Sequence, residues 1–144
     1  MSAGLYDHDF YAWTNEQAAL LRAGKLDAAD VEHIAEEIES MGRTEKRELV
    51  SWLTVLLVHL LKWQYQPLLQ GSSWRTTIRI QRIDIADHLI DNSSLKGQIL
   101  EAIARAYTKA RVEAAAETGL HEATFPLTAP WSFEQIMDEG FWPD

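Results

Sequence analysis

A chain of 144 residues that is 47% apolar and carries six tryptophans has the material for one buried core and lies far from a disordered composition. The lack of cysteine excludes disulfides, thiolate metal sites and a cysteine nucleophile. A net charge of −9 argues against general binding to nucleic acid or anionic membranes, but the average hides a block. Ser40 to Arg82 holds seven basic and two acidic residues, a balance of +5, while the rest holds six basic and twenty acidic, −14.

The N-terminus MSAGLYDHDF has no basic region followed by an apolar run, so no secretory signal is visible and a cytoplasmic location is the expectation. Asp7 or Asp9 can cap a first helix with apolar positions Phe10, Trp13, Leu20 and Leu21. Gly24 suits the left-handed position just past its end. Asp27 then reads as the N-cap of a second helix, with Asp30 three residues on and Leu26 stapling onto Val31. That helix is expected to bury Val31, Ile34, Ala35, Ile38 and Met41 and to expose Glu32, Glu36 and Glu39.

Gly42 raises the question of a break. The stripe Ile34, Ile38, Met41 stays in phase with Trp52, Leu56 and Trp63 across it, and Glu39 sits four before Arg43, a favourable pairing. Unbroken from Asp30 to Gln66, however, the helix would run about 55 Å at 1.5 Å per residue. A domain of this size has a radius of gyration of only about 15 Å. A kink or short break near Gly42 is the expectation, with a protruding straight helix as the alternative.

Leu49 to Pro67 (LVSWLTVLLVHLLKWQYQP) is the stretch around which the rest must pack. Its apolar run stops at Lys62, short of the roughly 20 residues a membrane span needs. On a helix Trp52, Leu53, Leu56, Leu60 and Trp63 share a face, while Val55 and Val58 fall in the opposite stripe. The middle is therefore apolar all round, as in a helix covered on several sides. Pro67 ends it.

Ser72 or Ser73 caps a helix from Trp74 to about Asp91. Trp74, Ile78, Ile85 and Leu89 line one edge of its apolar arc, and Ile83 and Ile90 the other. Arg75, Arg79, Arg82 and Ala86 lie between, whereas Asp84, Asp87, His88 and Asp91 are expected to face water. A long helix with a small-residue face follows, Leu95, Ile99, Ala102, Ile103, Ala106, Ala110 and Ala114, ending near Thr118-Gly119. In the remainder Ser132 and Gln135 make a capping box for a short helix, Phe133 to Asp138. Phe125, Trp131, Phe133, Ile136, Phe141 and Trp142 are too apolar for a free tail. The fold expected is all-α: an antiparallel bundle of about four main helices around a central hydrophobic helix, with a short C-terminal helix and a wrapped tail. Residues 1–144 read as a single all-helical domain.

Several pieces carry a resemblance: Tyr6-Asp7 with Asp9-Phe10-Tyr11-Ala12-Trp13, Glu36-Glu37-Ile38-Glu39 with Met41-Gly42-Arg43, and His59-Leu60-Leu61-Lys62-Trp63-Gln64-Tyr65-Gln66-Pro67. Ser73-Trp74-Arg75 with Thr77-Ile78, and Asp138-Glu139 with Phe141-Trp142-Pro143, continue it. Through them the chain resembles, nearly end to end, the bacterial family catalogued as domain of unknown function 29. The resemblance implies an all-helical fold and assigns no activity.

The chemistry legible in the sequence is sparse. No histidine has a glutamate three residues before it, as a di-metal bundle would need. Asp30-x-x-His33 and Asp84 with His88 read as surface charge. No nucleophile elbow or phosphate-binding glycine loop is present, so no catalytic residue, metal set or cofactor is expected. Embedded among apolar residues, His59 reads as a buried ring with a hydrogen-bonded partner. Arg75, Arg79 and Arg82 must find anions if buried. Glu36, Glu39, Glu113 and Glu117 are the internal partners expected; a bound phosphate or carboxylate held by Arg75, Arg79 and Arg82 with Lys62 and His59 is the functional alternative. The reading is a non-catalytic helical module that binds another macromolecule, an unknown protein or a second copy of itself. A small enzyme or sensor acting on an anionic ligand is the alternative, and an RNA-contacting module using the basic block the third.

Overall fold

Arranged in chain order, the helices of the computed structural model, which describes residues 4–144, are α1 (Leu5–His8), α2 (Phe10–Arg22), α3 (Val31–Tyr65), α4 (Ser72–Asp91), α5 (Ile99–Thr118) and α6 (Phe133–Met137). Short 3-10 turns occupy Pro67–Leu69, Ser93–Gln98 and Glu122–Thr124, and there is no strand among the described residues. The chain divides into two compact units, one ending at Thr44 and one beginning at Glu45.

In the first unit Asp9 caps α2 by accepting from the Ala12 N–H at 3.1 Å, and Gly24 adopts φ 72° just beyond its end. The start of α3 differs from expectation. Asp30, not Asp27, is the capping residue: its carbonyl accepts from Ile34 N and its side chain receives His33 N at 3.4 Å. Leu26 and Val31 are both exposed, so no staple forms. Among the described residues of this unit only Trp13 and Gln17 are buried. Of the expected core face of α3, Ile34 is half-buried and the rest is bare, with Val31 61%, Ile38 62% and Met41 67% exposed. The periodicity located an apolar stripe correctly, but no described element of the first unit covers it.

The break expected near Gly42 is absent. α3 runs unbroken through it, Gly42 keeps a negative φ, and nothing stands within 4 Å of where its Cβ would be.

In the second unit the expected order is found. Leu49, Leu53, Leu56, Leu57, Val58, Leu60 and Leu61 are almost wholly buried, each burial stabilising by about 1.5–3 kcal/mol for a side chain of this type. Thr54 is admitted because its hydroxyl donates to the Val50 carbonyl at 2.7 Å. Helix directions follow from paired side chains. Lys46 reaches Glu101 at 3.2 Å and Lys62 reaches Glu117 at 2.9 Å, so α3 and α5 run the same way in register. His88 near the end of α4 meets Glu45, and Trp74 near its start meets Lys62, so α4 runs antiparallel to both. The alanines of α5, Ala102, Ala106, Ala110 and Ala114, are buried and permit close approach. Gly119 ends α5 in the left-handed conformation, φ 76°.

The tail docks as expected. Phe125, Trp131 and Ile136 are buried, and Tyr107 Oη donates to the Pro126 carbonyl at 2.6 Å. The Ser132–Gln135 capping box forms and starts α6.

Candidate functional site

α4 places its buried face differently from the sequence reading. Ile78, Arg82, Ile85, His88 and Leu89 point inward, while Arg75, Arg79, Ile83, Ala86 and Ile90 point out. The helix is rotated toward the Gln81–His88 side because the tail and the start of the second unit offer backbone carbonyls there. His88, expected on the wet side, is 7% exposed. Its Nε2 lies 2.8 Å from the Glu45 carbonyl, an acceptor only, so Nε2 carries the proton. Its ring stands edge-on to Trp52, centroids 4.9 Å apart.

Arg82 is 3% exposed and takes no carboxylate. Its Nε donates to the Ile136 carbonyl and its Nη2 to the Phe141 carbonyl, both at 2.8 Å. Burial pushes its pKa below the usual guanidinium value, opposed by Asp138 and Glu139. Arg75 is exposed and stacks over Trp63 and Trp142 at 5.4 and 5.9 Å, and Arg82 shares the Trp142 ring at 5.4 Å. Arg79 is exposed and forms no ion pair among the described residues. The internal pairing of the three arginines with Glu36, Glu39, Glu113 or Glu117 is therefore not what the chain uses. Backbone carbonyls and indole faces take the place of carboxylates at Arg82 and Arg75.

Lys62 lies 5.0 Å over the Trp74 ring and pairs with Glu117. His59 Nδ1 meets the Val55 carbonyl at 2.8 Å within its own helix. Burial holds its pKa below the ordinary histidine value, with Lys62 adding to the depression. The five residues expected at an anion site thus form two groups, Arg75 with Arg82 on Trp142, and Lys62 with His59 near Glu117. Arg79 lies on α4 one turn from Arg75 and from Arg82.

Glu45, Glu48 and His88 bring three ligand-type atoms within 4.8 Å of one another. The Nε2 proton of His88 is already committed to the Glu45 carbonyl, and both carboxylates are open to water. Bonded to Glu45 in this way, His88 clamps α4 to α3.

A second cluster in the first unit was missed by the sequence reading. Asp30 Oδ2 accepts from Trp13 Nε1 at 3.0 Å and meets His33 Nδ1 at 2.7 Å. Tyr6 stacks on His33 with centroids 3.9 Å apart and donates to Glu37 Oε2 at 2.5 Å. The hydrogen bond from His33 holds Asp30 below the usual carboxylate range, and the same bond raises His33. The bond to Glu37 pushes the Tyr6 phenol up to about 12. Asp30-x-x-His33 was the available signal, but a spacing of three says nothing of Trp13 and Tyr6 arriving from two other helices. The cluster ties α1 and α2 to α3.

Cavities open among the described residues of the second unit. One of about 350 Å³ is mostly apolar, lined by Leu100, Ile103, Tyr107, Leu127, Trp131 and Phe133 among others. Another, about 220 Å³, is lined by Arg82, Ile83, Ala86, Asp87, Met137 and Glu139. No helix among the described residues is long and apolar enough to cross a membrane.

A family model described as "Domain of unknown function DUF29" matches residues 5–142, nearly the whole chain. No curated protein and no solved structure matches.

Proposed function

The chain belongs to the DUF29 family of unknown function, and we propose that it is a non-catalytic helical interaction module acting as a single domain. The observation that carries this reading is the bare stripe Val31, Ile38 and Met41 on the N-terminal half of α3. Leu26 and Tyr11 in the same unit are exposed as well. Contiguous apolar surface rimmed by charge marks an interaction site on a soluble protein, and Glu32, Glu37 and Glu39 supply the rim. The same helix is covered twenty residues later, where it is apolar all round.

A photo-crosslinking residue placed at Ile38 tests this. It is expected to capture a protein neighbour in cells, while the same residue at exposed Lys109 captures none. Equal yields at the two positions overturn the reading.

One observation favours an anionic ligand as a second reading. Arg82 Nη1 is buried without a hydrogen-bond partner among the described residues, and Arg82 lines the 220 Å³ cavity. Asp87 and Glu139 in the lining oppose an anion there, which is why the interaction reading is preferred. Inorganic phosphate at 100 times its dissociation constant would add about 2.7 kcal/mol to stability. A thermal shift that is lost in Arg82→Met, with no shift from sodium chloride at equal ionic strength, would support this second reading.

A further inference from the structure

We infer that the occupant of the α3 face is the outward face of α4 in a second copy of this chain, in a reciprocal two-fold dimer. This rests on the interaction reading above and adds the partner. The first argument is how little core the first unit has. With two buried side chains among its described residues, and with Phe10, Leu26, Val31, Ile38 and Met41 exposed, it buries far less than a folded segment of this size ordinarily needs.

The second argument is complementarity of charge. Residues 1–44 hold nine acidic and three basic residues, and the α3 stripe is flanked by Glu32 and Glu39 on one side and Glu37 on the other. The α4 face carries Arg75, Arg79, Ile83, Ala86 and Ile90, spaced so that they share one side of the helix, and all five are exposed. From Ser72 to Ile83 this helix has three arginines and no acidic residue. Arg79, which forms no ion pair among the described residues, lies in the middle of that basic half. Between copies, the acidic-rimmed stripe of α3 is complementary to the arginine-bearing half of the α4 stripe, the half beyond Ile83 being flanked by Asp84, Asp87 and Asp91 instead.

Size and symmetry make the third argument. A stable interface buries about 1,200–2,000 Å² in total, more than one pair of three-turn helix faces supplies. When each chain contributes both faces, a two-fold axis uses the pair twice and closes the assembly, whereas a head-to-tail use of the same faces would give open oligomers.

The chain contains no cysteine, so single-cysteine variants report cleanly. Ile38→Cys and Ile83→Cys are made separately, and each is oxidised alone and after mixing with the other. A disulfide-linked dimer confined to the mixture is expected, since a bridge requires Cα atoms within about 7 Å. Sedimentation of the unmodified chain should show a dimer, which Ile38→Glu and Arg79→Glu convert to monomer and Leu100→Glu, an exposed site outside both faces, leaves intact. A chain that is monomeric up to millimolar concentration overturns the second-copy inference. If Ile38 still crosslinks to another protein in cells, the interaction reading survives that failure. A dimer insensitive to Ile38→Glu, or one in which either cysteine variant bridges to itself, overturns the assigned faces. If Ile38 also fails to crosslink in cells, the interaction reading falls too.

Discussion

Arg82 on α4 donates its Nε to the backbone carbonyl of Ile136, 54 residues further along the chain, at 2.8 Å. That bond and its companion to Phe141 make a buried arginine the anchor of the C-terminal tail. A hydrogen bond from a charged donor contributes about 1.5–3 kcal/mol. Arg82→Met should therefore destabilise by about 2–4 kcal/mol in chemical denaturation. Arg82→Lys should recover only part, because one ammonium cannot reproduce the fork. Arg79→Met, at an exposed position, should fall within about 0.5 kcal/mol of the wild type in monomeric protein. Equal effects at the two positions would contradict the assignment.

The tail that Arg82 holds also buries Phe125, Trp131 and Ile136. Truncation before Phe125 should lower the melting temperature by many degrees or prevent folding. A truncated chain that melts where the full one does would make the tail a free recognition peptide.

Gly42 lies inside an uninterrupted helix with open space at its Cβ position. Gly42→Ala should stabilise by about 0.5–1 kcal/mol, the usual gain from removing glycine from a helix interior. A loss of more than about 1 kcal/mol in equilibrium denaturation would mean that the glycine holds a left-handed cap in solution.

Much of this architecture is written locally. The covered half of α3 was legible because Leu53, Leu56 and Leu60 have apolar neighbours on every side, a pattern only an enclosed helix shows. Gly24, Gly119 and the Ser132–Gln135 box were legible because caps depend on a few adjacent residues. The errors share one cause. Ile38 and Met41 looked like core because periodicity reports which face is apolar, not whether anything covers it. His88 and Arg82 were misjudged because their partners are carbonyls of Glu45, Ile136 and Phe141, and every residue carries a carbonyl. Of the candidate residues, the grouping of Arg75 with Arg82 depends on Trp142 arriving from the far end of the chain.

The Asp30–His33 pair predicts a pH response of the first unit. His33 binds its proton more tightly when folded, so its contribution is fully present below the ordinary value of 6.5 and is lost as pH rises through the raised folded value. Asp30 acts in the opposite sense: its contribution is present above 3.8 and is lost as pH falls through the lowered folded value. NMR titration should place the His33 midpoint above 6.5, and Asp30→Asn should return it toward that value. A midpoint at or below 6.5 in the intact chain would show that the pair does not form in solution.

The central claim is that one continuous helix does two jobs, core in its C-terminal half and docking surface in its N-terminal half. Chemical denaturation of Ile38→Ala beside Leu56→Ala, extrapolated to infinite dilution so that association plays no part, tests it most directly. Leu56→Ala should cost about 2.7–5 kcal/mol, as a buried leucine does, and Ile38→Ala should stay within about 0.5 kcal/mol of the wild type. An Ile38→Ala variant that loses as much as Leu56→Ala in dilute monomer would show that the face is core, and would contradict the account.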